Sequence, residues 1–184
     1  HALNHACFKS LLFLVTGSVL HATRERSLGR LGGLMRSMPW VAWLALVGTL
    51  AIAGLPPLNG FVSEWLLLQA FLFTPTLPQS FVNMLVPLAT AALVLAVALA
   101  AYVMVKFYAI VFLGRMREPH LAYAKDAGLL ERAALIYLAV GCVVLGIFPV
   151  NVIAMLDPVN ALLVGSSAIQ VGPRSWLLLA PINA

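Results

Sequence analysis

The sequence predicts an all-α membrane protein, a multi-pass helical bundle with one discontinuous, Pro-Pro broken transmembrane helix. Three observations carry that prediction. Hydrophobic residues make up 62% of the 184 positions and charged residues 9%, whereas soluble domains run at about 45–50% and about 25%. The apolar runs are far longer than the ~9–11 residues of a barrel strand, so helices, which satisfy their own backbone groups in lipid, are the available spans. Finally, Gly54-Leu55-Pro56-Pro57-Leu58-Asn59-Gly60 interrupts an apolar block too long to cross as one rod.

The first span covers about 1–21. It starts in apolar residues at His1, without a basic leader or a small-residue cleavage site, so it reads as a membrane span rather than a signal peptide, with more sequence expected upstream. The loop 22–38 follows, with Arg24, Arg26, Arg30 and Arg36 against one acid, Glu25, and is expected to face the cytoplasm.

The next block spans 39–73. Its 34 residues from Trp40 to Phe73 would reach about 51 Å at ~1.5 Å each, against a hydrocarbon core of ~30 Å. A break at 54–60 resolves the mismatch: Pro56 and Pro57 remove donors, while Gly54 and Gly60 permit dihedrals that other residues avoid. Two half-helices meeting inside the membrane are expected.

The uncharged linker 74–80 then lies on the opposite side, and a third block, 82–113, returns to a second basic loop, 114–128. That loop holds Arg115, Arg117 and Lys125 with Glu118 and Asp126 and is again expected to be cytoplasmic. A crossing over 129–156 ends at Asp157-Pro158, and a further span starts near 174 without room to finish. The whole of 1–184 reads as a single membrane domain.

Cys7 and Cys142 lie more than a hundred positions apart inside apolar runs. That spacing suits neither a disulfide framework nor a CxxC pair, and both read as small core residues. The formal charge of +5 sits in the short loops, where membrane topology accounts for it and nucleic acid is not called for.

The chemistry lies in the few ionisable residues at bilayer depth. His1, His5 and Lys9 recur every four residues, each turned about 40° and lifted ~6 Å from the one before, so they share a face. A charge at mid-membrane costs about 2.5–3.5 kcal/mol even on the permissive scale, so such groups are expected to face a polar interior and to mark an ion or proton route. A snorkelling Lys9 with hydrogen-bonded histidines is the bland reading. The His-x-x-x-His spacing also matches a helical zinc site with Glu64 as a distant ligand, but Ala2 stands where the zinc hydrolases carry their general base.

Glu64, four residues after Gly60, is expected in the first turn of the second half-helix, where the dipole favours an anion. Capping by Ser63 with Glu64 merely complementing the dipole is the alternative. Lys106, two turns before Gly114, is either the end of a pathway or a snorkelling anchor among Tyr102, Phe107, Tyr108 and Phe112, which read as an interfacial aromatic belt. His120 reads as solvated.

At these residues the sequence resembles the antiporter-like membrane subunits shared by respiratory complex I, Mrp-type cation/proton antiporters and membrane-bound hydrogenases. The resemblance rests on His1-Ala2-Leu3-Asn4-His5-Ala6-Cys7-Phe8-Lys9 with Gly17-Ser18, and on Gly54 to Glu64. Leu31 to Pro39 and Asn59 to Trp65 look most like the large membrane subunit of the hydrogenase-4 and formate hydrogenlyase group. The resemblance implies a proton carrier at Lys9, connecting histidines at His1 and His5, and an exit-side carrier at Glu64. It implies the C-terminal part of such a subunit, with the other half-channel upstream. The partners implied are the lipid bilayer, the other membrane and redox subunits of a hydrogenase or complex I-like assembly, and the transported ion, a proton or Na⁺. No redox cofactor is expected in this chain. A stand-alone Na⁺ or K⁺/proton antiporter subunit is the competing reading, and an intramembrane zinc hydrolase a weaker one.

Overall fold

The computed structural model describes residues 1–72 and 80–164. The linker expected at 74–80 (apart from its last residue) and the span expected from 174 lie outside the described residues. Among these described residues six α-helices and one short 3-10 helix follow in order: α1 Ala2–Thr23, α2 Pro39–Ile52, α3 Asn59–Leu72, α4 Ser80–Val111, the 3-10 turn Pro119–Tyr123, α5 Leu129–Ile147 and α6 Pro149–Val164. Helices α1, α4 and α5 are each long and apolar enough to cross a membrane.

Helix α1 buries Phe8, Leu11, Leu12, Val15, Ser18 and Val19, a set spaced three and four residues apart that forms one face. That face packs on α2 and α5. Lipid tails are as apolar as these side chains, so close van der Waals contact between helices, rather than exclusion of water, holds such a seam together. The sequence supplies it with small residues on α2: Ala42, Ala45, Gly48 and Ala51 recur every third position and are buried. A Cβ at Gly48 would sit 3.0 Å from the Leu12 side chain, so the glycine lets α1 and α2 approach.

The break between α2 and α3 occupies residues 53–58, one residue shorter than the expected 54–60. Gly54 adopts φ +67° and Pro56-Pro57 is a cis peptide. Gly60 corrects the sequence reading. It lies inside the first turn of α3, and a Cβ there would overlap the Ala51 carbonyl group at the end of α2. Its contribution is close approach of the two half-helices, with no unusual dihedral required.

The crossing expected over 129–156 is also corrected. Helix α5 stops at Ile147, and α6 starts at Pro149, because a proline lacks the N–H that would continue the ladder and is well suited to open a new helix. Asp157-Pro158 does not end a helix either, since α6 carries Pro158 in its interior.

The two basic loops meet. The backbone N–H groups of Gly33, Leu34 and Met35 donate to the carbonyls of Leu113, Val111 and Phe112 at 3.2, 3.3 and 3.1 Å, satisfying acceptors at the end of α4 that no further turn of helix could reach. Arg117 donates to the Gly29 carbonyl at 2.8 Å. The Asp126 carboxylate accepts from the Trp40 and Val41 N–H groups at 2.9 and 3.4 Å and so caps α2 from a distant loop. Both loops therefore sit at one end of the bundle, as alternating crossings require.

Candidate functional site

The site is built where α1 begins and α3 begins. His1, His5 and Lys9 fall on one face of α1, and the His1 and His5 rings lie 5.7 Å apart between centroids. His5 then stacks edge-on to the buried Phe8 at 5.2 Å. His1 Nδ1 is 3.0 Å from the hydroxyl of Ser63 on α3, a contact across 62 positions of sequence. Ser63 is 2% exposed, and its hydroxyl donates to the Gly60 carbonyl at 3.1 Å. With that donor committed, the hydroxyl oxygen is left to accept from a His1 Nδ1–H.

Glu64 follows Ser63 directly and is half-buried. Because α3 starts at Asn59, Glu64 lies in the second turn, and no acid stands in the first; the expectation of a first-turn carboxylate is corrected by one turn. The dipole weakens within a turn, so position along α3 alone does not explain the residue. Its carboxylate folds back on the break: a Cβ added at Gly54 would collide with Glu64 Oε2. Gly54 thus serves twice, as a left-handed turn residue and as the floor beneath the carboxylate.

A second polar link runs beside the first. Asn59, fully buried, donates from Nδ2 to the Asn4 carbonyl at 3.2 Å and approaches Asn4 Oδ1 at 3.5 Å. Its own Oδ1 is buried without a hydrogen-bond partner, an arrangement that an ordered water would satisfy. Two amides and a hydroxyl therefore tie the helix bearing the histidines to the helix bearing the carboxylate.

Lys9 lines a cleft of about 200 Å³ between α1 and α4, with Leu12, Phe13, Thr16, Met104 and Phe107. It is half-buried, with its face of α1 continuous with His5 one turn away. Lys106 is exposed on α4, its ammonium 5.9 Å from the Tyr102 ring, and is not brought into the His1–Ser63–Glu64 cluster. Tyr108 and Phe112 are buried core residues, which corrects the reading of all four aromatics as an interfacial belt. Among the described residues, no three His, Cys, Asp or Glu side chains converge as a metal cage would need, so the zinc arrangement is not assembled.

Ser63 and Asn4 were the residues that sequence reasoning underrated. Ser63 stood only as a possible cap, and Asn4 only as part of a motif. The signal was present: polar side chains are costly at bilayer depth, and each needs a partner.

Residues 1–86 match the family described as NADH:quinone oxidoreductase/Mrp antiporter, TM. Formate hydrogenlyase subunit 3 of Escherichia coli (strain K12) is 39% identical over 157 residues, covering 85% of this chain and 26% of that protein. Hydrogenase-4 component B of the same organism is 35% identical over 147 residues, covering 80% and 22%. Na(+)/H(+) antiporter subunit A1 of Staphylococcus haemolyticus is 35% identical over 153 residues, covering 81% and 19%. The chain thus spans about a quarter of the length of the curated relatives it matches. A solved structure of the membrane-bound sulfane sulfur reductase, an archaeal respiratory membrane complex, superposes with a TM-score of 0.66 at 23% identity, over 98% of this chain and 34% of that one, and shares its fold. The helix break and the polar face of α1 agree with these relatives: residues 1–86 carry the match to the NADH:quinone oxidoreductase/Mrp antiporter family, and most of the chain is similar to the antiporter-like membrane subunits of hydrogenase and Mrp systems.

Proposed function

We propose that this chain is the C-terminal part of a proton-translocating subunit of a respiratory-type hydrogenase or complex I-like assembly. Protons move along Lys9, His5, His1 and Glu64, with Ser63 as the bridge between helices. The observation that carries this reading is the 3.0 Å contact from His1 Nδ1 to Ser63 Oγ, which joins the ionisable face of α1 to the residue beside Glu64. Flexible side chains and one or two waters span the ~6 Å steps between neighbours on α1. Lys106, on the exposed face of α4 near the basic loops, is a terminus of the route. The driving energy comes from redox chemistry in partner subunits. Both basic loops face the cytoplasm of a bacterial or archaeal cell, in keeping with their excess of Arg and Lys.

The deciding experiment replaces Lys9 by Ala and, separately, Glu64 by Gln in the full-length protein, and follows proton uptake in membrane vesicles. Loss of uptake with assembly intact is expected; unchanged uptake in both variants overturns the assignment. Similarity to an antiporter subunit favours one second reading, a stand-alone exchanger of Na⁺ or K⁺ for protons. Ion exchange that persists after removal of all redox subunits would establish it in place of the first.

A further inference from the structure

Cys7 and Cys142, 135 positions apart, meet on the seam between α1 and α5 with their sulfurs 3.7 Å from each other. The Cys142 thiol donates toward Cys7 Sγ, and the Cys7 thiol donates to the Leu138 carbonyl at 3.4 Å. Room is made for them. A Cβ at Gly141 would come within 3.0 Å of Cys7 Sγ, so the glycine before Cys142 lets the Cys7 sulfur lie against α5. Cys142 is fully buried and Cys7 half-buried, which leaves the pair approachable from one side.

We propose that Cys7 and Cys142 form a two-coordinate binding site for a soft, thiophilic cation of the Cu(I), Ag(I) and Hg(II) class. Thiolates are soft ligands that select such ions. Zinc, which takes four ligands, finds no third or fourth protein donor among the described residues. On binding Hg²⁺, each thiol loses its proton, two S–Hg bonds form and two protons leave to water. No electron is transferred, and the product is neutral, which suits apolar surroundings. A bridged pair ties the helix that carries His5 and Lys9 to α5.

The test uses the full-length protein in its native membrane. Vesicles receive one equivalent of mercuric chloride in the presence of excess glutathione. Glutathione and the mercury it has taken up are washed away while the protein is still folded; the protein is then unfolded in thiol-free denaturant and alkylated with a maleimide, and the peptides bearing Cys7 and Cys142 are quantified by mass spectrometry. A two-thiol chelate resists a competing monothiol because its second bond forms at high effective concentration. Both cysteines are therefore expected to escape alkylation together. In Cys7→Ser or Cys142→Ser the remaining cysteine should lose that protection at least tenfold. Full alkylation of both cysteines in the parent, or protection undiminished in the single variants, overturns the site.

Discussion

Replacing Ser63 by Ala removes one oxygen atom from a site that is 2% exposed, and the consequences for fold and for function separate cleanly. The fold loses the contact to His1 at 3.0 Å and the one to Gly60 at 3.1 Å. A typical intramolecular hydrogen bond contributes about 0.5–1.5 kcal/mol net. Alanine is the better helix former by a few tenths of a kcal/mol, so assembly is expected to survive. Proton transfer loses the hydroxyl that joins His1 on α1 to the position beside Glu64. If the hydroxyl stabilises the transfer step by about 1–1.4 kcal/mol, uptake slows about five- to tenfold, since 1.36 kcal/mol is a decade in rate. The assay is vesicle proton uptake measured together with electron transfer, so that the ratio reports coupling. Ser63→Thr keeps a hydroxyl and should restore most of the rate. Uptake in Ser63→Ala equal to the parent, or an equal loss in Ser63→Thr, refutes the bridge.

Three further outcomes follow from the geometry. Gly54→Ala forces a Cβ onto a left-handed residue, at about 1–2 kcal/mol, and drives it into the Glu64 carboxylate; uptake should fall to the level of Glu64→Gln, and a fully active variant would show that the carboxylate does not lie where α2 ends. Asp126→Ala uncaps α2 and should cost about 1 kcal/mol, visible as a lower midpoint of thermal unfolding in detergent, with Asp126→Asn much milder. At Glu25, the Ser27 N–H and then the Arg30 guanidinium hold the carboxyl below the usual carboxylate range. A lowered folded-state pKa adds stability that is full above the ordinary Glu value of about 4.3 and is lost as pH falls through the folded value. The stability gap between the parent and Glu25→Gln should therefore persist at neutral pH and close only in acid, and a gap independent of pH would dismiss the interaction.

Much of this architecture is legible in one dimension because its signals are local. The four-residue recurrence of His1, His5 and Lys9 fixes their shared face, and Gly54 with Pro56 and Pro57 fixes a break that the structure places at 53–58. What was illegible depends on partners distant in sequence. Nothing near Ser63 announces His1, and nothing near Cys7 announces Cys142, because both meetings are set by which helices pack on α1. The division between α5 and α6 was missed for a different reason. Pro149 stood in plain view, but the apolar run continues through it, and hydropathy does not register the loss of a backbone donor. Gly60 was recognised as necessary for the wrong cause, since a glycine needed for its dihedral and one needed for its missing side chain look alike in sequence.

The clasp between residues 33–35 and 111–113 sets an order of events during biosynthesis. The amides of Gly33, Leu34 and Met35 find their acceptors only on residues made nearly eighty positions later. Until α4 emerges and inserts, those amides must be satisfied by water. The first loop therefore stays at the aqueous boundary while three helical segments are laid down, and it closes like a latch once the end of the long helix arrives beside it.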